Sequence, residues 1–157
     1  MTSVTAIKPC LWFNDSAEEA MQYYVDLFPD SHIDDIVRYP DESLNEHFKG
    51  MSDKVLNGRF TLSGTEFICL DGGPAFTFNE AVSFTVGCAD QAEIDRYWAA
   101  LSAVPESEQC GWCKDKFGVS WQILPARLDE LMTGPGAIQA LMGMHKISIA
   151  ELEAAGA

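Results

Sequence analysis

The chain has no apolar run approaching the ~20 residues that carry a helix across a bilayer, and no basic segment followed by an apolar stretch near its start. A helical membrane span is therefore not expected, nor a secretory leader, and a cytoplasmic protein is the default reading. Basic side chains are scarce. Ten Lys and Arg stand against 24 Asp and Glu, a formal net charge of −14 over 157 residues. Phosphate backbones and anionic lipid surfaces are held by Lys and Arg, so neither nucleic acid nor membrane is an expected partner. The five cysteines (Cys10, Cys69, Cys88, Cys110 and Cys113) are an odd number, and four of them fall inside apolar strand patterns. That argues against a disulfide framework and for cysteine as a small hydrophobe.

What is present is a repeat. Ala6–Glu18 aligns without a gap on Ala81–Glu93, with identities at Ala6/Ala81, Asp15/Asp90, Ala17/Ala92 and Glu18/Glu93. Each copy reads as an apolar strand running into an Asp-x-Ala-Glu helix start, where Asp15 and Asp90 are expected to cap and Glu18 and Glu93 to complete capping boxes. Gly64–Leu70 then aligns on Gly118–Leu124 in the same order. The copies lie 75 positions apart at their starts and 54 at their ends, so the second is 21 residues shorter, mostly a loop and an outer strand. Duplicated units of this kind build a symmetric cleft, and clefts between repeats take ligands.

Residues 6–13 alternate, with Ile7, Pro9, Leu11 and Phe13 on one face and Lys8, Cys10 and Trp12 on the other. The following helix carries Ala17, Ala20, Met21, Tyr24 and Phe28 as its apolar stripe and stops at Pro29. An exposed strand is expected over 31–39, a mobile polar loop over 40–54, and a hairpin of 55–62 and 65–71 turning at Ser63-Gly64. In the second copy, strand 82–88 leads to a helix burying Ala92, Tyr97, Trp98 and Leu101, then to a hairpin of 109–114 and 119–124. The tail, from about residue 126, suggests three short helices around Leu128, Ile138 and Ile149. Its Met-rich apolar side must pack on its own sheet or on a partner. The whole is expected to be one domain: module one over 5–73, module two over 81–125 and a helical tail over 126–157.

Several segments closely resemble the PhnB-like family of the vicinal oxygen chelate superfamily. They are Pro9-Cys10-Leu11-Trp12-Phe13, Ala17-Glu18-Glu19-Ala20, Leu27-Phe28-Pro29-Asp30-Ser31, Leu70-Asp71-Gly72-Gly73-Pro74, Cys110-Gly111-Trp112 and Lys114-Asp115-Lys116-Phe117-Gly118-Val119-Ser120-Trp121-Gln122-Ile123. The superfamily includes glyoxalase I, extradiol dioxygenases and bleomycin-resistance proteins, and PhnB-like members often carry the label 3-demethylubiquinone-9 3-methyltransferase. The resemblance implies an α+β fold of paired βαβββ modules, here with a helical C-terminal tail. Metal-dependent members place His, Gln or Glu at four inward positions, which by strand phase fall on Lys8, Ile68, Ser83 and Gln122. A cation, a hydrocarbon, a hydroxyl and one amide do not make a divalent site. His32, His47 and His145 lie off the cleft strands, and Glu66, in phase with Ile68, is a single carboxylate. No metal and no cofactor are expected. Methyl transfer is disfavoured too, because Asp71-Gly72-Gly73-Pro74 precedes a linker and not a helix.

Cys110-Gly-Trp-Cys113 looks like a redox pair, but its spacing within a strand sends the thiols to opposite faces. The candidate ligand-binding residues are Lys8, Trp12, Glu66, Ser83, Thr85, Trp112 and Gln122, polar anchors beside aromatic walls. Against this stands a plain alternative, in which Lys8 pairs with Glu66 and fills a collapsed cleft. Asp115 to Gly118 is most simply a turn, and Trp121 falls on the helix-packed face. The expected function is metal-free binding of an unidentified small organic molecule by a homodimer. The alternative is a metal-independent enzyme (lyase, isomerase or, last, methyltransferase) using Lys8 or Glu66 as base or nucleophile.

Overall fold

The computed structural model describes residues 3–157. The chain divides between Thr77 and Phe78 into two compact units. The first contains β1 (Cys10–Phe13), α1 (Ala17–Leu27), β2 (His32–Arg38), β3 (Val55–Leu62) and β4 (Thr65–Asp71). Its sheet runs β1-β4-β3-β2, with β1 parallel to β4 and the other pairs antiparallel.

Strand alternation divides this sheet into two faces. Leu11 and Phe13 of β1, Phe60 and Leu62 of β3, and Phe67 and Cys69 of β4 are buried, as are Ala17, Ala20, Met21 and Tyr24 of α1. The expected helical stripe is thus the core. Phe60 stacks between Tyr24 and Phe67, with ring centroids 6.4 and 5.2 Å away. Burying each such aromatic side chain is worth about 1.5–3 kcal/mol. Gly58 allows the close approach of Met21, since a Cβ there would come within 2.8 Å of its thioether sulfur. The hairpin turns at Ser63 and Gly64, both at positive φ, the geometry that matches strand twist in two-residue turns.

Three local expectations are corrected here. Ile7 is 93% exposed: the regular strand begins only at Cys10, so Ile7 has no sheet face to bury against. Asp15 does not cap α1; Ser16 occupies the cap position without a side-chain bond, and the first helical amide, Ala17 N, donates to the carboxylate of Asp71. Glu18 closes no capping box either, because Arg38 holds it in a two-pronged pair. Within residues 40–54 lie two short 3-10 turns, Glu42–Leu44 and Glu46–Phe48, capped by Asp41 on Ser43 N and Asn45 on His47 N. Phe48 packs edge-on against Tyr39 beside them.

The second unit contains β5 (Phe84–Cys88), α2 (Gln91–Leu101), β6 (Trp112–Lys114) and β7 (Ser120–Pro125). Three short helices follow: α3 (Leu128–Leu131), α4 (Pro135–Met142) and α5 (Ile149–Gly156). Its sheet runs β5-β7-β6, with β5 parallel to β7. Here Asp90 does cap its helix, accepting from Glu93 N, while the Glu93 carboxylate accepts from Ala89 N. Tyr97 and Leu101 are buried as expected. Ala92 is exposed and Trp98 half-buried, and Ile94 takes the core position on the face toward β7.

The two units share one plan. β1, β4 and β3 correspond to β5, β7 and β6, and the outer strand β2 has no counterpart. The pairing register agrees as well. Cys10 faces Ile68 across β1 and β4, and Thr85 faces Gln122 across β5 and β7. These are the residue pairs that the internal sequence alignment equates, so duplication extends to backbone register.

The tail packs on its own unit. Leu131, Met144, Ile147 and Leu152 form a buried cluster joined by Leu124 of β7. Gln91 fastens it, donating to Ile147 O and accepting from Ile149 N, and Lys146 pairs with Asp95. Among the described residues no helix is long and apolar enough to cross a membrane.

Candidate functional site

In each unit the sheet face turned away from the helix is only partly covered, and the candidate residues lie there. On the first unit the open face carries Lys8, Cys10 and Trp12, then Glu66, Ile68 and Leu70, with Arg59 on β3. Lys8 Nζ lies 2.7 Å from Glu66 Oε2, both side chains partly exposed. Trp12 is wedged in place. Its indole N–H donates to Gly73 O at 2.9 Å, and Phe76 meets it edge-on at 4.8 Å. Phe76 is itself 65% exposed, which leaves an aromatic corner open to solvent.

On the second unit the open face carries the register row Thr85, Gln122 and Trp112. Gln122 Nε2 donates to Ser83 Oγ at 2.9 Å, and Lys114 pairs with Glu80. The candidates thus separate into two groups. Lys8, Trp12 and Glu66 sit together on the first unit; Ser83, Thr85, Trp112 and Gln122 sit together on the second.

Two buried carboxylates organise these faces from behind. Asp71 is 3% exposed and accepts from Ala17 N at 2.9 Å and Val55 N at 3.0 Å, one bond to each oxygen. It joins the end of β4 to the starts of α1 and β3, and Tyr39 OH donates to its main-chain oxygen. Burial, and then the charge of Asp71, push the Tyr39 phenol up from its ordinary value. Asp115 is 1% exposed and accepts from Phe117 N, Val119 N and the Trp121 indole. It shapes the turn whose Gly118 takes φ +92°, and it fixes Trp121 on the helix side.

The divalent-metal pattern of the wider superfamily does not fit this chain. On the first unit Lys8 is a cation already paired, and Ile68 offers no electron pair. On the second, Ser83 and Gln122 satisfy one another. Among the described residues no three His, Cys, Asp or Glu stand together so as to hold a metal ion. The glycine turn after β4 is equally unsuited to cradle a cofactor: Gly72 N donates to Phe13 O and Gly73 N to Asn14 O, so both amides are spent.

Sequence reasoning gave no role to Arg59 or Gln91, read Gly72 only as a chain break, and missed the structural role of Asp71 and the contact of Phe76 with Trp12. A signal for Asp71 existed, since alternation from Phe67 and Cys69 places it on the buried face of β4. Arg59 could be placed only once the β3–β4 register was known.

Residues 5–124 match the family model described as 3-demethylubiquinone-9 3-methyltransferase. No curated protein matches the chain. Among solved structures, the PhnB protein from Bacillus cereus is 38% identical, covering 76% of this chain and 99% of its own, with a TM-score of 0.62. A Pseudomonas aeruginosa protein at 20% identity covers 78% of this chain and 98% of its own, with a TM-score of 0.57. An Arabidopsis thaliana gene product, also 20% identical, covers 77% and 98%, with a TM-score of 0.50. The latter two share the fold. Matched over most of its length in sequence and in strand plan, the chain belongs to the PhnB-like, 3-demethylubiquinone-9 3-methyltransferase family and has its mixed α+β, glyoxalase-like fold.

Proposed function

We propose that this protein binds a small organic molecule without the help of a divalent metal, using the open sheet faces of its units. One observation carries the reading: on each face an accessible tryptophan stands beside anchored polar groups. Trp12 and the exposed Phe76 accompany Lys8 and Glu66 on the first unit, and Trp112 accompanies Gln122 and Ser83 on the second. Aromatic walls with a few fixed donors and acceptors are what organic ligands need. The polar groups are held by one another, so they arrive pre-oriented and can exchange partners with a ligand. Homodimer formation belongs to the same proposal, supported by Ile7 and Val82. These equivalent apolar residues are 93% and 65% exposed beside the edge strands β1 and β5.

The test is native mass spectrometry of freshly purified protein, followed by tryptophan fluorescence against a library of aromatic and polar small molecules. A co-purified organic mass, or saturable quenching lost in Trp12→Phe or Trp112→Phe, supports binding. Failure of every compound, with no co-purified mass, counts against it. The enzyme reading rests on Lys8 alone: to act as base or nucleophile it must leave Glu66. Turnover of any bound compound that vanishes in Lys8→Ala while affinity holds would favour that reading.

A further inference from the structure

We propose that Cys110 and Met142 form a binding site for a soft monovalent cation, of which Cu(I) is the biological representative. Cys110 Sγ lies 3.9 Å from Met142 Sδ, and backbone hydrogen bonds tie the two segments that carry them. Gln109 and Trp112 exchange backbone hydrogen bonds across the turn, with Cys110 and Gly111 both at positive φ. The turn is tied to the segment after α4, because Cys110 N donates to Met144 O at 2.7 Å and Gly111 N to His145 O at 2.8 Å. The Gln109 amide donates to Met142 O at 2.7 Å and lies 3.3 Å from the thiol sulfur. Two segments 32 residues apart are thus held side by side, and each contributes one sulfur to the pair.

Both sulfurs are within reach of solvent. Met142 is 60% exposed and Cys110 half-buried, whereas Cys69, Cys88 and Cys113 are buried. Thiolate and thioether together select soft ions; zinc prefers four nitrogen or sulfur ligands, and magnesium and calcium prefer oxygen. With metal–sulfur bonds of about 2.3 Å, sulfurs 3.9 Å apart subtend an angle of about 115° at a bridging ion. That approximates trigonal coordination and leaves one position for water or an external thiolate. On binding, the Cys110 thiol proton leaves to solvent as the metal–sulfur bond forms, and no electron is transferred.

The experiment uses the full chain, reduced and anaerobic, competing for Cu(I) with bicinchoninate. The wild type is expected to take one ion per chain. Met142→Leu should weaken binding at least about tenfold, since changes outside a ligand shell alone cost about 10–100-fold. Cys110→Gly should abolish binding while keeping the turn, because glycine accepts positive φ. Cys10→Ser, which alters the exposed thiol of the other unit, should leave Cu(I) uptake at one ion per chain. Silver(I) should shift the methyl resonance of Met142 and leave that of the buried Met21 in place. The proposal is overturned if the wild type takes no Cu(I), if Met142→Leu binds as tightly as the wild type, or if Cys10→Ser abolishes uptake.

Discussion

The indole of Trp12 fills the space that a Cβ on Gly72 would need. An ideal Cβ at that position lies 2.2 Å from Cζ2 and 2.3 Å from Cε2 of the ring. The glycine is required by packing, since only Gly73 of the pair has a positive φ. Gly72→Ala must expel the ring, break the bond from Trp12 to Gly73 O and cost about 1–3 kcal/mol, as overpacking does. Urea denaturation and the Trp12 indole N–H resonance check this together. An unshifted resonance with wild-type stability would mean that the ring does not sit there.

Asp71→Asn tests whether one buried carboxylate joins three elements. An amide has one acceptor oxygen where the carboxylate uses two, so either Ala17 N or Val55 N loses its partner and meets an N–H₂ donor. Stranding a buried donor costs about 1–3 kcal/mol, read as a lower urea midpoint with unchanged slope. Asp71→Ala should cost more, because both amides are then left without an acceptor.

The buried thiols predict a pH dependence. Burial pushes Cys69 and Cys113 up to about 12 and Cys88 up to about 11, from an ordinary value of about 9. The folded state keeps protons that the unfolded state gives up. Their stabilising contribution is therefore complete below about pH 9 and declines as pH rises toward 11–12. Thermal melts from pH 7 to 10.5 should show falling stability above about 9, reduced in Cys113→Ala relative to wild type. In the native state these three thiols should also alkylate far more slowly at pH 8 than Cys110.

Lys8→Met separates an anchoring pair from a stabilising one. The Lys8–Glu66 bridge is partly exposed on both sides, and such pairs contribute about 0–1 kcal/mol. Thermal stability should move by no more than that. A larger loss would mean that the pair is structural, and the proposed role of Lys8 in ligand contact would lose its footing.

The contrast between Asp15 and Asp90 shows what local sequence can carry. Both begin the same Asp-x-Ala-Glu phrase, yet only Asp90 bonds its helix. In the first copy Asp71, 54 residues away from Ala17, supplies the acceptor, and Arg38 draws off Glu18. A capping motif names a residue able to bond, while long-range partners decide whether it does. Strand alternation was more reliable. The faces of Leu11 and Phe13 and of Trp121 were legible, because one residue of phase error would have moved an entire apolar set into water. Lys8 with Glu66 was legible as an open alternative for the same reason.

Periodicity, turn residues and internal alignment determined by themselves the order of elements, the duplication and the core faces, while the family was legible only as a resemblance of particular segments. Those properties are written locally, one residue and its neighbours at a time. Only the tertiary structure decided that Gly72 yields to Trp12, that the Asp71 carboxylate gathers the amides of Ala17 and Val55, and that Gln91 fastens the tail. It alone brought the sulfur of Cys110 to that of Met142. Each of these depends on atoms from distant segments meeting within a few ångströms, and no local pattern along the chain carries that distance.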